Sequence, residues 1–264
     1  MSAGDTTVLG LGMAAVLVGV LGLCVGSFLN VVVHRVPLGL SVVSPASACP
    51  GCGSAIRARH NVPVAGWLML RGHCFDCGST ISPRYPLVEA GTAALFVALV
   101  LRFPDQPRIW PVMLYLAAIG VALALIDLDV KRLPDAIVLP SYPVVTVLLL
   151  IAGGGEALLR ALIGGAILGV LYLLIATVSG AMGFGDVKLA GILGAVLAYV
   201  SWGTLLTGGF LAFLLGALVG VAMMAGGRAG RRTAIPFGPF MIAAAVLAVV
   251  GVGHLGDAYL SLLG

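Results

Sequence analysis

Apolar runs long enough to cross a bilayer recur from one end of this chain to the other, and that recurrence sets its solvent. Bounded by charge, Pro or Gly, the runs fall at 8–30, 87–101, 109–126, 136–152, 157–178, 189–202, 203–225 and 235–253. A crossing needs roughly 20 apolar residues. With 61% hydrophobic and 9% charged residues among 264, about eight spans use most of the chain and no large soluble domain fits beside them. The expected fold is an all-α polytopic membrane protein of about eight transmembrane helices. The sixth run is short and its boundary with the seventh weak, so seven or nine spans stay open. The first run is too long for a signal-peptide core and lacks a basic start, so it reads as a retained helix. No low-complexity segment and no repeat at fixed period stands out.

Basic residues orient this arrangement. With the loop 34–84 in the cytoplasm, eleven of the fourteen Lys and Arg lie on that side: Arg35, Arg57, Arg59, Arg71, Arg84, Lys131, Arg132, Lys188, Arg228, Arg231 and Arg232. Only Arg102, Arg108 and Arg160 lie opposite. The bias predicts a multi-pass protein of the cytoplasmic (inner) membrane with both termini outside. Topology accounts for the net charge of +4, so nothing calls for a nucleic-acid partner, and membrane lipid is the surrounding partner.

The long polar segment between the first two spans carries Cys49-Pro-Gly-Cys52 and, after 21 intervening residues, Cys74-Phe-Asp-Cys77. Two such knuckles supply four thiolates for a tetrahedral Zn²⁺, and binding would fold a loop too poor in apolar residues to hold a core. Paired disulfides are the alternative, which a reducing compartment disfavours. Four thiolates leave no open ligand position, so the metal would be structural. His60 and His73 are nearby spare ligands. Cys24, alone in the first span, reads as a small packing residue.

Ionisable groups at membrane helices are costly and tend to mark function. Asp127 abuts the third run with no basic residue within three positions, and Asp186 precedes the sixth, so both belong to the cytoplasmic face. Asp135, after Pro134, reads as an N-cap, and Asp129 fits a solvated turn beside Lys131 and Arg132. Asp186 also suits an N-cap. Its setting, Gly183-Phe-Gly185-Asp186-Val-Lys188, lacks the third glycine and preceding strand of a dinucleotide site. The glycines permit close approach of another helix or an extended peptide. Lys188 reads either as a snorkelling cation or as the partner of an aspartate. Two carboxylates on one membrane face suit aspartyl proteolysis, in which an ionised carboxylate takes a proton from water while a protonated one polarises the scissile carbonyl.

Taken together, the motifs resemble the bacterial type IV prepilin peptidases, Gly-x-Gly-Asp-type aspartyl membrane proteases that combine leader peptidase and N-methyltransferase. The resemblance rests on five blocks in order: Gly26-Ser-Phe-Leu-Asn30-Val-Val-Val-His34-Arg35; the paired Cys-x-x-Cys loop with Arg71-Gly-His-Cys74 and Ile81-Ser-Pro-Arg-Tyr-Pro-Leu-Val-Glu89; Ile126-Asp127 through Leu133-Pro134-Asp135; Gly183 to Lys188; and Ile235-Pro-Phe-Gly-Pro239-Phe. It implies catalytic Asp127 and Asp186, with Gly183, Gly185 and Lys188 in support. It implies cleavage of prepilin or pseudopilin precursors after a glycine, commonly at Gly-Phe, on the cytoplasmic side, then methylation of the new amine from S-adenosylmethionine. Residues 1–86, the first helix plus cysteine loop, would serve methylation, and 87–264 would form the peptidase core. Asn30, His34, Arg35 and Glu89 are candidates for methyl transfer or substrate contact, against plain readings of interface anchoring and, for Glu89, helix-dipole complementation. Trp67, Trp110 and Trp202 read as belt or packing residues, and Arg228, Arg231 and Arg232 as topology determinants. His254 and Asp257 stay unassigned. Rival readings keep the same residues: a peptidase without methylation, a small ion-coupled transporter using both carboxylates, or a membrane scaffold with a zinc loop.

Overall fold

The computed structural model describes residues 3–180, 182–227, 230 and 235–262, with side chains from residue 9 onward. Arg228, Arg231 and Arg232, to which the sequence assigns a topology role, lie outside the described residues. The helices are α1 (Ala3–Arg35), α2 (Ala65–Met69), α3 (Arg84–Arg102), α4 (Trp110–Val130), α5 (Asp135–Ser179), α6 (Phe184–Val200), α7 (Trp202–Ala225), α8 (Gly238–Leu247) and α9 (Gly253–Ser261), the last two joined by a π-helical turn at Ala248–Val252. The described residues contain no β-strand beyond two isolated bridges, Ala48 to Ala55 and His73 to Thr80.

Among the described residues six helices are long and apolar enough to cross a membrane: Leu9–Leu38, Arg84–Arg102, Pro107–Val130, Asp135–Ser179, Trp202–Ala225 and Gly238–Ser261. The departure from about eight arises at two places. The 45-residue α5 holds two of the expected runs, divided where Gly154 leaves helical geometry at φ 72°. A left-handed glycine there bends the chain without unwinding either arm. The 17-residue α6 is shorter than the roughly 20 residues of a full crossing.

The chain forms two compact units, Met1–Pro107 and Arg108–Gly264. This division falls after α3, past the expected 86/87 boundary, because α3 packs along α1. Small residues make that contact. A Cβ on Gly22 would lie 2.6 Å from the Ala93 Cα, and one on Gly26 would lie 2.7 Å from the Glu89 Cα. Apolar side chains gain little by leaving lipid, so close backbone approach through a Gly-x-x-x-Gly face supplies the van der Waals attraction that joins such helices. Cys24 lies between these glycines but is exposed, a correction to its packing role: it points off the contact face.

In the second unit α6 is buried almost all round, with Leu189, Ala190, Ile192, Val196, Leu197 and Ala198 at 0–2% exposure. A helix apolar on every face belongs inside. α5 lies along it through Gly164 and Gly194; a Cβ on Gly194 would meet the Gly164 carbonyl oxygen at 2.6 Å, and one on Gly164 would overlap Ala198. Tyr142 of α5 donates its hydroxyl to the Lys188 carbonyl at 2.7 Å. At the other end of α6, Arg160 Nη2 donates to the Tyr199 carbonyl, one of the last carbonyls that the helix cannot satisfy itself. Asp257, unassigned from sequence, accepts from Ser201 Oγ at 2.9 Å and from the Gly203 N–H at 3.1 Å, closing the start of α7.

Candidate functional site

Four chain segments meet around Asp127: the end of α4, the Lys131–Pro134 turn, and the starts of α6 and α8. Asp127 lies three residues before the end of α4 and is 5% exposed. Its Oδ2 accepts the backbone N–H of Gly238 at 3.0 Å across 111 residues. Gly238 opens α8, so this N–H is one of the free donors at a helix start, where the macrodipole favours negative charge. A side chain at 238 would displace this contact, since a Cβ there would sit 2.8 Å from Asp127 Oδ2.

Asp186 belongs to the first turn of α6. The cap position is held by Gly183, in extended geometry with ψ 148°. Asp186 is therefore the third residue of the helix, not its N-cap, and its Oδ2 accepts the Gly183 N–H at 3.3 Å. This is half of a capping box; glycine has no side chain to supply the other half. Leu133 lies between Gly185 and Gly238. Its Cβ is 3.0 Å from where a side chain on Gly185 would begin, and its Cδ2 is 3.3 Å from the corresponding point on Gly238. Tyr172 of α5 is also buried. Tyr172 stacks near Phe213 and Phe237, with ring centroids 5.3 Å and 6.1 Å away.

One neighbour differs from expectation. Asp135 is no N-cap: Pro134, extended at ψ 127°, holds that position and Asp135 is the first helical residue of α5. Its carboxylate instead receives Lys188 Nζ at 2.7 and 2.9 Å. Lys188 thus pairs with an aspartate, but with neither Asp127 nor Asp186. Asp129 is exposed in the last turn of α4. The signals missed in the sequence are Gly238 and Leu133. Both stand inside recognisable motifs, yet only the packing of four segments reveals what they touch.

In the first unit the Sγ atoms of Cys49, Cys52, Cys74 and Cys77 lie within 4.8 Å of one another, close enough to hold one metal ion. His60 and His73 take no part: His60 stacks on Phe75 at 4.9 Å, and His73 Nδ1 contacts the Arg71 carbonyl at 2.8 Å. Each knuckle closes alike. Gly53 N–H reaches the Cys49 carbonyl and Cys49 N–H the Ser54 carbonyl; Gly78 and Cys74 repeat both bonds, to Cys74 and Ser79, 25 positions later. Gly53 and Gly78, at φ 71° and 70°, turn each loop. This local repeat, Cys-x-x-Cys-Gly-Ser, escapes a search for periodicity over the whole chain. Ser79 Oγ stands 3.5 Å from Cys49 Sγ and 3.2 Å from Cys77 Sγ. The hydroxyl of Ser79 is the main cause that pulls the Cys49 thiol down to about 6, and it lowers Cys77 as well. Hydrogen bonding to the thiolate prepares a metal ligand.

Of the remaining candidates, Arg35 and Glu89 bond to the loop. Arg35 donates from Nη1 to the Ser41 carbonyl at 2.9 Å and from Nη2 to the Pro45 carbonyl at 2.8 Å. Asn30 Nδ2 donates to the Tyr85 carbonyl at 3.3 Å, and His34 is exposed. Glu89, 8% exposed, accepts the Val64 N–H at 2.6 Å. It stands in the second turn of α3, whose first turn has no acidic residue, so the dipole reading does not apply there. Val64 is held at φ 61°, an uncommon geometry for a β-branched residue. Trp67 of α2 packs in the loop, its Nε1 donating to the Ile81 carbonyl at 3.0 Å.

Comparison with known proteins follows the same division. A model described as the bacterial peptidase A24 N-terminal domain matches residues 20–103, and one described as the type IV leader peptidase family matches 114–221. The chain is 39% identical over 272 residues to a prepilin leader peptidase/N-methyltransferase from Pseudomonas putida, covering 93% of each protein. It is 38% identical over 274 residues to one from Pseudomonas aeruginosa, covering 92% of each. Against one from Myxococcus xanthus it is 42% identical over 226 residues, 83% of this chain and 66% of that protein. No solved structure matches the chain.

Proposed function

The chain belongs to the type IV leader peptidase family, and on that premise we propose that it removes the basic leader of prepilin-like precursors with Asp127 and Asp186 and methylates the amine so exposed. The observation that carries the reading is the convergence of the two acid-bearing helix ends: Leu133 packs against both Gly185, the neighbour of Asp186, and Gly238, whose N–H holds Asp127. One ionised carboxylate takes a proton from water as the oxygen attacks the scissile carbonyl, and the protonated partner donates to that carbonyl. The Gly238 N–H, by holding Oδ2 of Asp127, orients the carboxylate for this exchange.

A precursor stem is itself apolar, so a site at helix ends meets the chain where leader and stem join. Helical amides there are occupied by their own bonds; a glycine before the cleaved bond eases local opening. The charge bias puts this face in the cytoplasm, with both termini outside. The same placement counts against a transporter, whose coupling carboxylates more often lie at the bilayer midplane.

Zinc is the metal that the four thiolates suit. In a tetrahedron with Zn–S of ~2.3 Å the sulfurs stand about 3.8 Å apart, and Cys49 Sγ and Cys77 Sγ are 3.8 Å apart. Bound there, the ion would supply folding energy and no catalytic position. S-adenosylmethionine would supply the methyl group. Among Asn30, His34, Arg35 and Glu89, Arg35 and Glu89 bond to the loop and Asn30 to the first turn of α3, and no step of methyl transfer falls to them. We attribute methylation to the N-terminal region and cleavage to the rest.

The test is mass spectrometry of a precursor incubated with purified protein, with and without S-adenosylmethionine. Cleavage after glycine in both samples and an added methyl only in the second is expected. An uncleaved precursor overturns the peptidase; a product of equal mass in both leaves a peptidase alone.

A further inference from the structure

The two acids are borne by helices that need a fixed spacing, and the residues that set it are not the acids themselves. Lys188 follows Asp186 by two residues in α6. Two residues turn an α-helix by roughly 200°, so Lys188 projects away from Asp186. It projects toward α5, where both of its contacts lie: Nζ on both oxygens of Asp135 at 2.7 and 2.9 Å, and its carbonyl on the Tyr142 hydroxyl at 2.7 Å.

Asp135 stands two residues after Leu133, the side chain wedged between Gly185 and Gly238. The ion pair therefore ties the first turn of α5 to the second turn of α6 and seats the Lys131–Pro134 turn against Gly185 and Gly238. The pair is partly exposed, with side chains 36% and 56% accessible. Such a pair adds little to global stability, which leaves alignment as the work its two-point geometry can do.

Resting on the reading of Asp127 and Asp186 as the catalytic pair, we propose that Asp135 and Lys188 are positioning residues: their ion pair holds Leu133 between Gly185, the neighbour of Asp186, and Gly238, the donor to Asp127, and so sets the approach of Asp186 to Asp127. The pair touches neither the reacting bond nor the acids. Its two charges are therefore exchangeable, whereas a lysine acting directly on Asp186 is not.

The experiment measures precursor cleavage by the full-length protein in detergent, with thermal unfolding as the folding control. The near-isosteric variants Asp135→Asn and Lys188→Met should each lower kcat about tenfold with KM changed less than about twofold, since small misplacement of reacting groups acts on the chemical step. The double exchange D135K/K188D should return kcat to within about threefold of wild type. Recovery is incomplete because a lysine at the first position of α5 opposes the helix dipole. Single variants with wild-type kcat, or an exchange no better than the worse single variant, overturn the proposal. Asp127→Asn and Asp186→Asn run alongside. If they abolish cleavage while the exchange fails, only the positioning pair is wrong. If they cleave normally, the catalytic reading falls and the proposal with it.

Discussion

The cysteine loop and the aspartate cluster are built by opposite routes. In the loop every ligand belongs to a short knuckle that closes its own turn: Cys49 to Ser54 and Cys74 to Ser79 make the same two backbone bonds. In the cluster no decisive contact is local apart from the reach of Asp186 back to Gly183. Asp127 takes its donor from Gly238, 111 residues away, and Leu133 joins two glycines from different helices. A locally closed site can be emptied by removing one bond or one ion. A site made of helix ends is altered by anything that shifts a helix.

The sharpest test of this contrast is to disable each region's chemistry and read both. Asp127→Asn or Asp186→Asn should lower cleavage by at least about 10³-fold, the scale of losing a group that acts in the transition state, and leave bound zinc unchanged in elemental analysis. Cleavage persisting in either variant would remove that residue from the mechanism. Cys49→Ser or Cys77→Ser should take zinc from about one ion per chain to near none, because a structural site with a missing thiolate loses most of its affinity. Helical content by circular dichroism should hardly change, since the segment between Arg35 and Arg84 contains one five-residue α-helix. A large loss of helicity would break the comparison by showing that the loop organises the bundle.

A smaller effect should follow from crowding the cluster without touching either acid. In Gly238→Ala the added methyl would lie 2.8 Å from Asp127 Oδ2 and 3.3 Å from Leu133 Cδ2. The carboxylate must turn away from the helix start, and cleavage should fall about 10- to 100-fold, as expected for a displacement near 1 Å. Gly155→Ala, where nothing lies within 4 Å, is the control and should cleave as wild type. Equal activity of both variants would mean that the Gly238 contact does not orient Asp127.

How far each region can be read in the sequence follows from how it is built. The four cysteines announce themselves by spacing, because a knuckle is a property of six consecutive residues. Asp127 and Asp186 also stand out, since few acids border apolar runs. What stays hidden is relational. Pro134-Asp135 reads as a cap and its partner is Lys188, 53 residues on; a local reading cannot weigh a proline that already holds the cap against a lysine on another helix. Helix count suffers in the same way. Apolarity marks the runs around residue 154, but whether α5 breaks or continues there depends on one glycine's φ of 72°. The burial of α6 depends on the helices around it.

The smallest effect belongs to Ser79, which tests whether the loop is as local as its backbone suggests. Its hydroxyl is 3.2 Å from Cys77 Sγ in its own knuckle and 3.5 Å from Cys49 Sγ in the other, so it is a link between knuckles. It is also the main cause holding the Cys49 thiol down at about 6. A metal is bound by thiolate, and protons compete for that form. Removing the hydrogen bond in Ser79→Ala raises the proton affinity of Cys49, so zinc should be released at a higher pH than in wild type. At neutral pH its affinity should fall about tenfold, the lower end for loss of a group supporting a metal ligand. Ser54 occupies the matching place in the first knuckle, where its carbonyl accepts Cys49 N–H. That bond survives Ser54→Ala, which should leave zinc release unchanged. Chelator competition across pH measures both. If the two variants release zinc alike, the knuckles are independent and Ser79 is a surface hydroxyl. If only Ser79→Ala shifts, the metal cluster carries its own contact between distant residues, and its difference from the aspartate cluster is one of degree.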